Sequence, residues 1–210
     1  MNLASVFDRH PDDAVALISR GKPTTYGVLR AQVAGLRSGL VAAGLEPGDR
    51  VAIACGNNRY FVVSYLAALG AGLVAVPLNP TSPEIELSHQ ITSVGARAVV
   101  VGPTARAVFE AVDRNSIPTV DVVIGCEFTP EDGLDLNDLI GLDGAPIVVR
   151  DDDDLAVLIF TSGTAGSPKA AMITHGNLRS NIAQILSTVG STQTPDDVLF
   201  GVLPLFHIFG

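Results

Sequence analysis

Apolar residues fall along the chain in two rhythms, and the rhythms alternate. Tyr26, Leu29, Val33, Leu36 and Leu40 recur at steps of three and four, which puts them on one face of a helix. Thr25 stands where that helix needs an N-cap, and Gly44 where it has to end. Leu45-Glu46-Pro47-Gly48-Asp49 reads as a turn. Arg50 to Cys55 is then a short strand whose apolar run is continuous. A second helix runs from Asn58 to Leu69, broken by Gly70 and Gly72, and Leu73 to Pro77 is another strand.

Thr81-Ser82-Pro83-Glu84 is a helix start with two readings. Thr81 and Glu84 have capping-box spacing, or Ser82 caps with Pro83 at the first helical position. This helix extends to Val94 and stops at Gly95. Arg97 to Val101 reads as a strand, Ala105 to Asp113 as a helix and Val120 to Ile124 as a strand. Continuous apolar strands separated by helices imply an α/β fold: a mainly parallel sheet with helices on both faces. Residues 127–154 are polar and rich in Gly and Asp. They read as a joint between an α/β subdomain at 1–126 and the start of a second at 155–210. The carboxylates of Asp151 to Asp154 are consecutive and cannot all face one point. They read as a solvated approach to the next strand rather than a metal cluster.

Composition narrows the function classes. The chain has 210 residues, of which 47% are hydrophobic and 17% charged, enough apolar material for a core and too little charge for disorder. A net charge of −9 counts against a nucleic-acid partner. It leaves nucleotides open, since backbone N–H groups and one or two cations can hold them. Cys55 and Cys126 form no C-x-x-C pair and no zinc spacing, and read as buried thiols in a reducing cytoplasm. No signal peptide and no run of membrane-spanning length is present, so the expectation is a soluble cytoplasmic protein, with peripheral membrane contact as the remaining option.

The chemistry concentrates in one stretch. Leu155 to Phe160 is an apolar strand that runs directly into Thr161-Ser162-Gly163-Thr164-Ala165-Gly166-Ser167-Pro168-Lys169. These nine residues hold four hydroxyls, two glycines and one lysine, and no acid. Glycine lets successive N–H groups turn inward, hydroxyls add donors, and the lysine adds a full positive charge. That is a donor set suited to a polyphosphate. It is not a Walker-type loop, because Pro168 precedes the lysine and Ala170 follows it. Ala170 to Thr174 is apolar and reads as a second strand. The helix then begins near Asn177, with Leu178, Ile182, Ile185 and Val189 on one face. The competing reading is an ordinary Ser/Gly-rich loop; the strand-abutting position and terminal lysine favour phosphate binding.

Phe160 to Leu178 resembles the signature phosphate-binding motif of the adenylate-forming superfamily: acyl-CoA synthetases, luciferases and peptide-synthetase adenylation domains. Two positions depart from the usual pattern. Ala165 replaces a common threonine, and Ala170 replaces the glycine that normally follows the lysine. Thr25 to Leu29 with Gly44 to Ile53, Gly70 to Pro80, and Leu203 to Gly210 resemble other family segments, the last being the one beside the acyl pocket. The resemblance is closest to fatty-acyl-CoA synthetases, and implies the incomplete N-terminal domain of such an enzyme.

The chemistry so implied joins a carboxylic acid to ATP, giving acyl-AMP and pyrophosphate, and then to CoA, giving a thioester. Thr161, Ser162, Gly163, Thr164, Gly166 and Lys169 would hold the phosphates, with Lys169 catalytic. Magnesium is expected on phosphate oxygens, and no protein ligand for it is assigned. His10 and His89 read as surface or cap residues, and His175 as structural at a helix start. A lone histidine in an apolar stretch reads as core, but the resemblance makes His207 a catalytic residue of the acyl pocket, near the acyl carboxylate, and Phe206 a pocket wall. The apolar Leu203 to Phe206 lining favours a fatty acyl group. The alternatives are an aryl-CoA ligase, an acyl-AMP ligase that loads a carrier protein, an amino-acid-adenylating enzyme, or a non-catalytic fragment that keeps phosphate binding. The resemblance implies later motifs beyond Gly210, so the chain alone is expected to be inactive. Its apolar Val198 to Gly210 stretch is expected to drive homo-oligomerisation.

Overall fold

The computed structural model describes residues 1–161, 169–189, 194 and 197–208. Strands β1 (Val15–Ser19) and β2 (Lys22–Thr25) form an antiparallel hairpin that the apolar pattern did not signal. Its two-residue turn, Arg20-Gly21, has φ of 51° and 74°, matching the twist of a tight hairpin. Helix α1 (Tyr26–Ala42) follows at once. The Thr25 hydroxyl accepts from the Val28 N–H, as expected of its cap, and Gly44 takes φ of 83° beyond its end.

The remaining elements are β3 (Arg50–Ala54), α2 (Arg59–Gly70), β4 (Val74–Pro77), α3 (Glu84–Ser93), β5 (Ala96–Val101), α4 (Arg106–Ala111) and β6 (Val122–Gly125). Then come β7 (Leu134–Asp135), α5 (Leu136–Leu139), β8 (Leu155–Thr161), β9 (Lys169–Thr174) and α6 (His175–Val189). Seven strands make one sheet in the order β7-β6-β5-β3-β4-β8-β9. Every pairing in it is parallel except that of β8 with β9.

The continuous apolar strands have the physical cause the pattern suggested. Val51 and Ile53 of β3 join a core with Leu36 and Leu40 of α1 and Phe61 of α2. Ala52 and Ala54 point the other way and join Leu87 and Ile91 of α3 and Phe109 of α4. Both faces of the sheet are thus closed by helices, as a parallel sheet requires.

Residues 127–154 do not interrupt this sheet. β7 adds to its edge, α5 packs on α1, and β8 then pairs with β4 on the other side. The buried Arg37 guanidinium donates from Nε to the Ala145 carbonyl at 2.8 Å, and the Val148 N–H donates to Gly70 at 2.8 Å. The polar stretch is strapped across α1 and α2 by backbone carbonyls, which composition does not reveal.

Three local expectations are corrected. α3 has Pro83 at its N-cap and no side-chain cap bond, so neither reading of Thr81-Ser82-Pro83-Glu84 holds. The Asn79 side chain instead accepts the Thr81 N–H at 3.0 Å and hydroxyl at 2.9 Å, which orders the turn. α4 ends at Ala111, where Val112 turns extended with ψ of 124°, short of Asp113. α6 begins at His175 rather than near Asn177. The Asn177 N–H donates to the Thr174 hydroxyl and the Thr174 N–H to the Asn177 side chain, both at 3.1 Å. This reciprocal pair is a capping box with asparagine as its acceptor.

Helix α1 comes so close to the 139–140 backbone that a Cβ on Gly35 would lie 2.6 Å from the Ile140 carbonyl oxygen. Gly35→Ala should therefore destabilise the protein by about 1–3 kcal/mol. In an open helix the same change is favourable by about 1 kcal/mol. Urea unfolding followed by circular dichroism measures the sign, and an unchanged or raised midpoint would refute the close approach.

Candidate functional site

β8 and β9 carry the candidate phosphate stretch as the two legs of an antiparallel hairpin. Thr161 ends one leg and Lys169 begins the other, and the two are register partners. The Thr161 hydroxyl donates to the Lys169 carbonyl at 3.4 Å, and both residues are exposed. Ser162, Gly163, Thr164 and Gly166 lie outside the described residues. A strand at Ala170–Thr174 agrees with the non-Walker reading, since a Walker loop runs directly into a helix. β8 is parallel to β4, and through it to β3. The end of the hairpin at Thr161 and Lys169 therefore lies on the carboxyl edge of the parallel sheet, where α/β folds bind ligands.

The base of the hairpin is fixed by the chain that precedes β8. The Asp154 carbonyl accepts the His175 N–H at 3.0 Å, and the Asp152 carbonyl accepts that of Gly176 at 2.9 Å. Two N–H groups that a helix start leaves unpaired are thereby satisfied. The Asp152 carboxylate pairs with Arg179 and, at 3.5 Å, with the N-terminal amine. The Asp151–Asp154 run is thus a cap and anchor for α6. Among the described residues, no group of three or more His, Cys, Asp or Glu is placed to hold a metal ion.

His175 is fully buried, and its Nδ1 accepts the Leu3 N–H at 3.2 Å. The proton therefore sits on Nε2, which is buried without a partner among the described residues. Burial lowers its pKa from the ordinary value, and Arg150 adds to this. The side chain pins the N-terminal segment to α6 and is closed to solvent, in keeping with a structural role.

Phe206 and His207 belong to a segment that sequence reasoning connected to nothing else in the chain. The Asn57 amide does connect it. Its Nδ2 donates to the carbonyls of Leu203 at 2.7 Å and Gly201 at 3.2 Å, and its Oδ1 accepts the Leu205 N–H at 2.9 Å. Asn57 follows the carboxyl end of β3, so the 201–207 segment lies on the same sheet edge as the hairpin. Leu205 and Phe206 pack against the core on the α1–α2 side, while His207 is exposed. The only sequence signal for Asn57 was its place, a polar amide just past a strand end.

A sequence model of the family described as AMP-binding enzyme matches residues 3–210. The chain belongs to the AMP-binding enzyme family. It is 34% identical over 194 residues to a feruloyl-CoA synthase of Amycolatopsis sp, which covers 92% of this chain and 36% of that protein. It is 31% identical over 231 residues to a long-chain-fatty-acid–CoA ligase of Salmonella typhimurium, covering 94% of this chain and 40% of the relative. Among solved structures, ATP-bound MatB from Rhodopseudomonas palustris superposes with a TM-score of 0.79 at 34% identity, over 98% of this chain and 41% of that one. The AMP-binding chain thus spans well under half the length of these relatives.

In this AMP-binding chain the buried His175 predicts a pH response. Its folded pKa lies below its ordinary value of 6.5. The stability it contributes is present above that value and is lost as pH falls through the folded pKa. Urea midpoints should drop between about pH 7 and pH 5 more in the wild type than in His175→Asn, which keeps an acceptor but cannot titrate. Equal slopes in the two proteins would remove His175 as the cause.

Proposed function

We propose that the protein carrying this chain activates a carboxylic acid with ATP and transfers the acyl group to CoA. The observation that carries this reading is the pairing of Thr161 and Lys169 at the end of the β8–β9 hairpin that lies on the carboxyl edge of the sheet. A hydroxyl and an ammonium at the two ends of a sequence rich in glycine and hydroxyl residues fit the oxygens of a polyphosphate. Lys169 and Thr161, with Ser162, Gly163, Thr164 and Gly166, hold the β- and γ-phosphates. ATP supplies the α-phosphorus: a carboxylate oxygen bonds to it, and its bond to pyrophosphate breaks. The donors act most strongly as charge builds on the leaving pyrophosphate. CoA thiolate then bonds to the acyl carbon as the bond to AMP breaks. Magnesium is the expected counter-ion of the phosphates, and none of the described residues is assigned to it.

The acid is read as a fatty acid because Leu203, Leu205 and Phe206 offer an apolar wall, with His207 next to it for the carboxylate. Similarity to a feruloyl-CoA synthase supports a second reading, an aryl acid. Both cysteines are free buried thiols, which fits a cytoplasmic enzyme. Among the described residues no helix is long and apolar enough to cross a membrane.

Two expectations test this reading. In the full-length protein, Lys169→Ala should slow ATP–pyrophosphate exchange by about 10²–10³-fold, or ~2.7–4 kcal/mol, with unfolding unchanged. Exchange at the wild-type rate would remove Lys169 from the reaction, and an acid panel would separate fatty from aryl substrates. The 210-residue chain by itself should make no acyl-AMP, because adenylation needs every reacting group held together. It should also self-associate in light scattering, since Val198, Leu199 and Phe200 are 82%, 88% and 85% exposed. A monomer that produces acyl-AMP would overturn both statements.

A further inference from the structure

We propose that a cleft between the β1–β2 turn and the start of α2 binds a small phosphate monoester. The cleft encloses about 380 Å³, and Arg20, Lys22, Gln32, Arg59, Tyr60 and Glu127 are among its walls. Three cations thus face one carboxylate, on a chain whose net charge is −9.

The walls come from the β1–β2 hairpin, α1, α2 and the chain just past β6, and several are braced against one another. Glu127, just past β6, accepts from Arg20 Nη1 at 3.1 Å and from the Tyr60 hydroxyl at 2.9 Å. Arg59 lies over the Tyr60 ring at 4.4 Å and donates to its hydroxyl oxygen at 3.2 Å. The Arg59 N–H donates to the Ser19 hydroxyl at 3.2 Å, which ties the hairpin to α2.

Backbone conformation sets this cleft apart. Arg20 and Glu127 are the two non-glycine residues with positive φ among the described residues, at 51° and 66°. The first position of a tight hairpin turn is filled at lower cost by Asn, Asp or Gly. An ion pair between two side chains this exposed contributes little. Strained backbone that local contacts do not offset is characteristic of ligand sites. Arg20 at the turn places a guanidinium over the cleft.

The remaining groups specify the ligand. Lys22 is exposed, on the β2 side of the turn, and adds a cation with three rotatable donors. With Arg59 it suits a dianionic phosphate. Gln32 lines the cleft with its Oε1 buried and without a partner among the described residues, so a turn of its side chain would present this acceptor to a ligand hydroxyl. A phosphate monoester of a hydroxylated compound supplies both groups, and a cleft of this volume admits one. The site is separate from the phosphate hairpin and does not depend on the proposed reaction.

Titration calorimetry on the 210-residue protein tests this with glycerol 3-phosphate, inorganic phosphate and glycerol. Glycerol 3-phosphate should bind more tightly than phosphate, and glycerol should not bind. Lys22→Ala and Arg59→Gln should each raise the Kd about tenfold without moving the unfolding midpoint, and Lys169→Ala should leave it unchanged. Sedimentation with phosphatidate vesicles, lost in Lys22→Ala, would assign the same chemistry to a lipid headgroup. Binding of neither probe, or binding lost in Lys169→Ala and retained in Lys22→Ala, would overturn the proposal.

Discussion

Strand β3 has no face to give to water: Val51, Ala52, Ile53 and Ala54 are all at 0% exposure. A strand buried on both sides must be covered by helices on both sides, and parallel neighbours must be reached by crossovers. α1 and α2 cover one face and α3 and α4 the other, which forces the chain to return each time to the same end of the sheet. All the carboxyl ends therefore gather along one edge. That edge collects the Thr161–Lys169 end of the β8–β9 hairpin, Asn57 with the 201–207 segment it holds, and Glu127 of the cation-lined cleft.

The same edge explains the two cysteines. Cys55 follows β3 and Cys126 follows β6, with β5 between them. Gly102 directly follows β5, and a Cβ there would stand 3.0 Å from the Cys55 sulfur. Absence of that side chain leaves room for the thiols to approach over the strand. Contact with Cys55, and then burial, push the Cys126 thiol pKa up, so this thiol stays protonated and unreactive. The pair packs the core under the edge.

A hairpin that carries a candidate site is only as firm as its mount. Here β9 passes into α6 with no intervening loop, through the Thr174–Asn177 capping box. The carbonyls of Asp152 and Asp154 hold the helix start from below. His175 then carries the tie to Leu3, while the Asn2 side chain donates to the carbonyls of Leu69 at 2.6 Å and Val148 at 2.9 Å. One short N-terminal segment thus binds α2, the strapped 127–154 stretch and the base of the hairpin into one unit.

Much of this was legible in the residues. Periodicity fixed the alternation of strands and helices, because burial of a helix stripe or a strand face repeats along the chain itself. Turn and cap chemistry located the ends of α1 and α2, and glycine, hydroxyl and lysine content marked the stretch from Thr161 to Lys169. The start of α3 was misread because Asn79, outside the motif, takes the Thr81 N–H and hydroxyl, and that of α6 because the Asp152 and Asp154 carbonyls accept the Gly176 and His175 N–H groups. The edge pairing of β7, the tie between Leu3 and His175 and the hold of Asn57 on Leu203 were not readable at all. Sequence determined what most segments from α1 to β6 are, since that depends on neighbours a few residues away, but not the β1–β2 hairpin or β7 and α5. Only the tertiary structure decided which segments meet, because a backbone carbonyl accepts a hydrogen bond whatever its side chain, and so leaves no mark in the sequence of its partner.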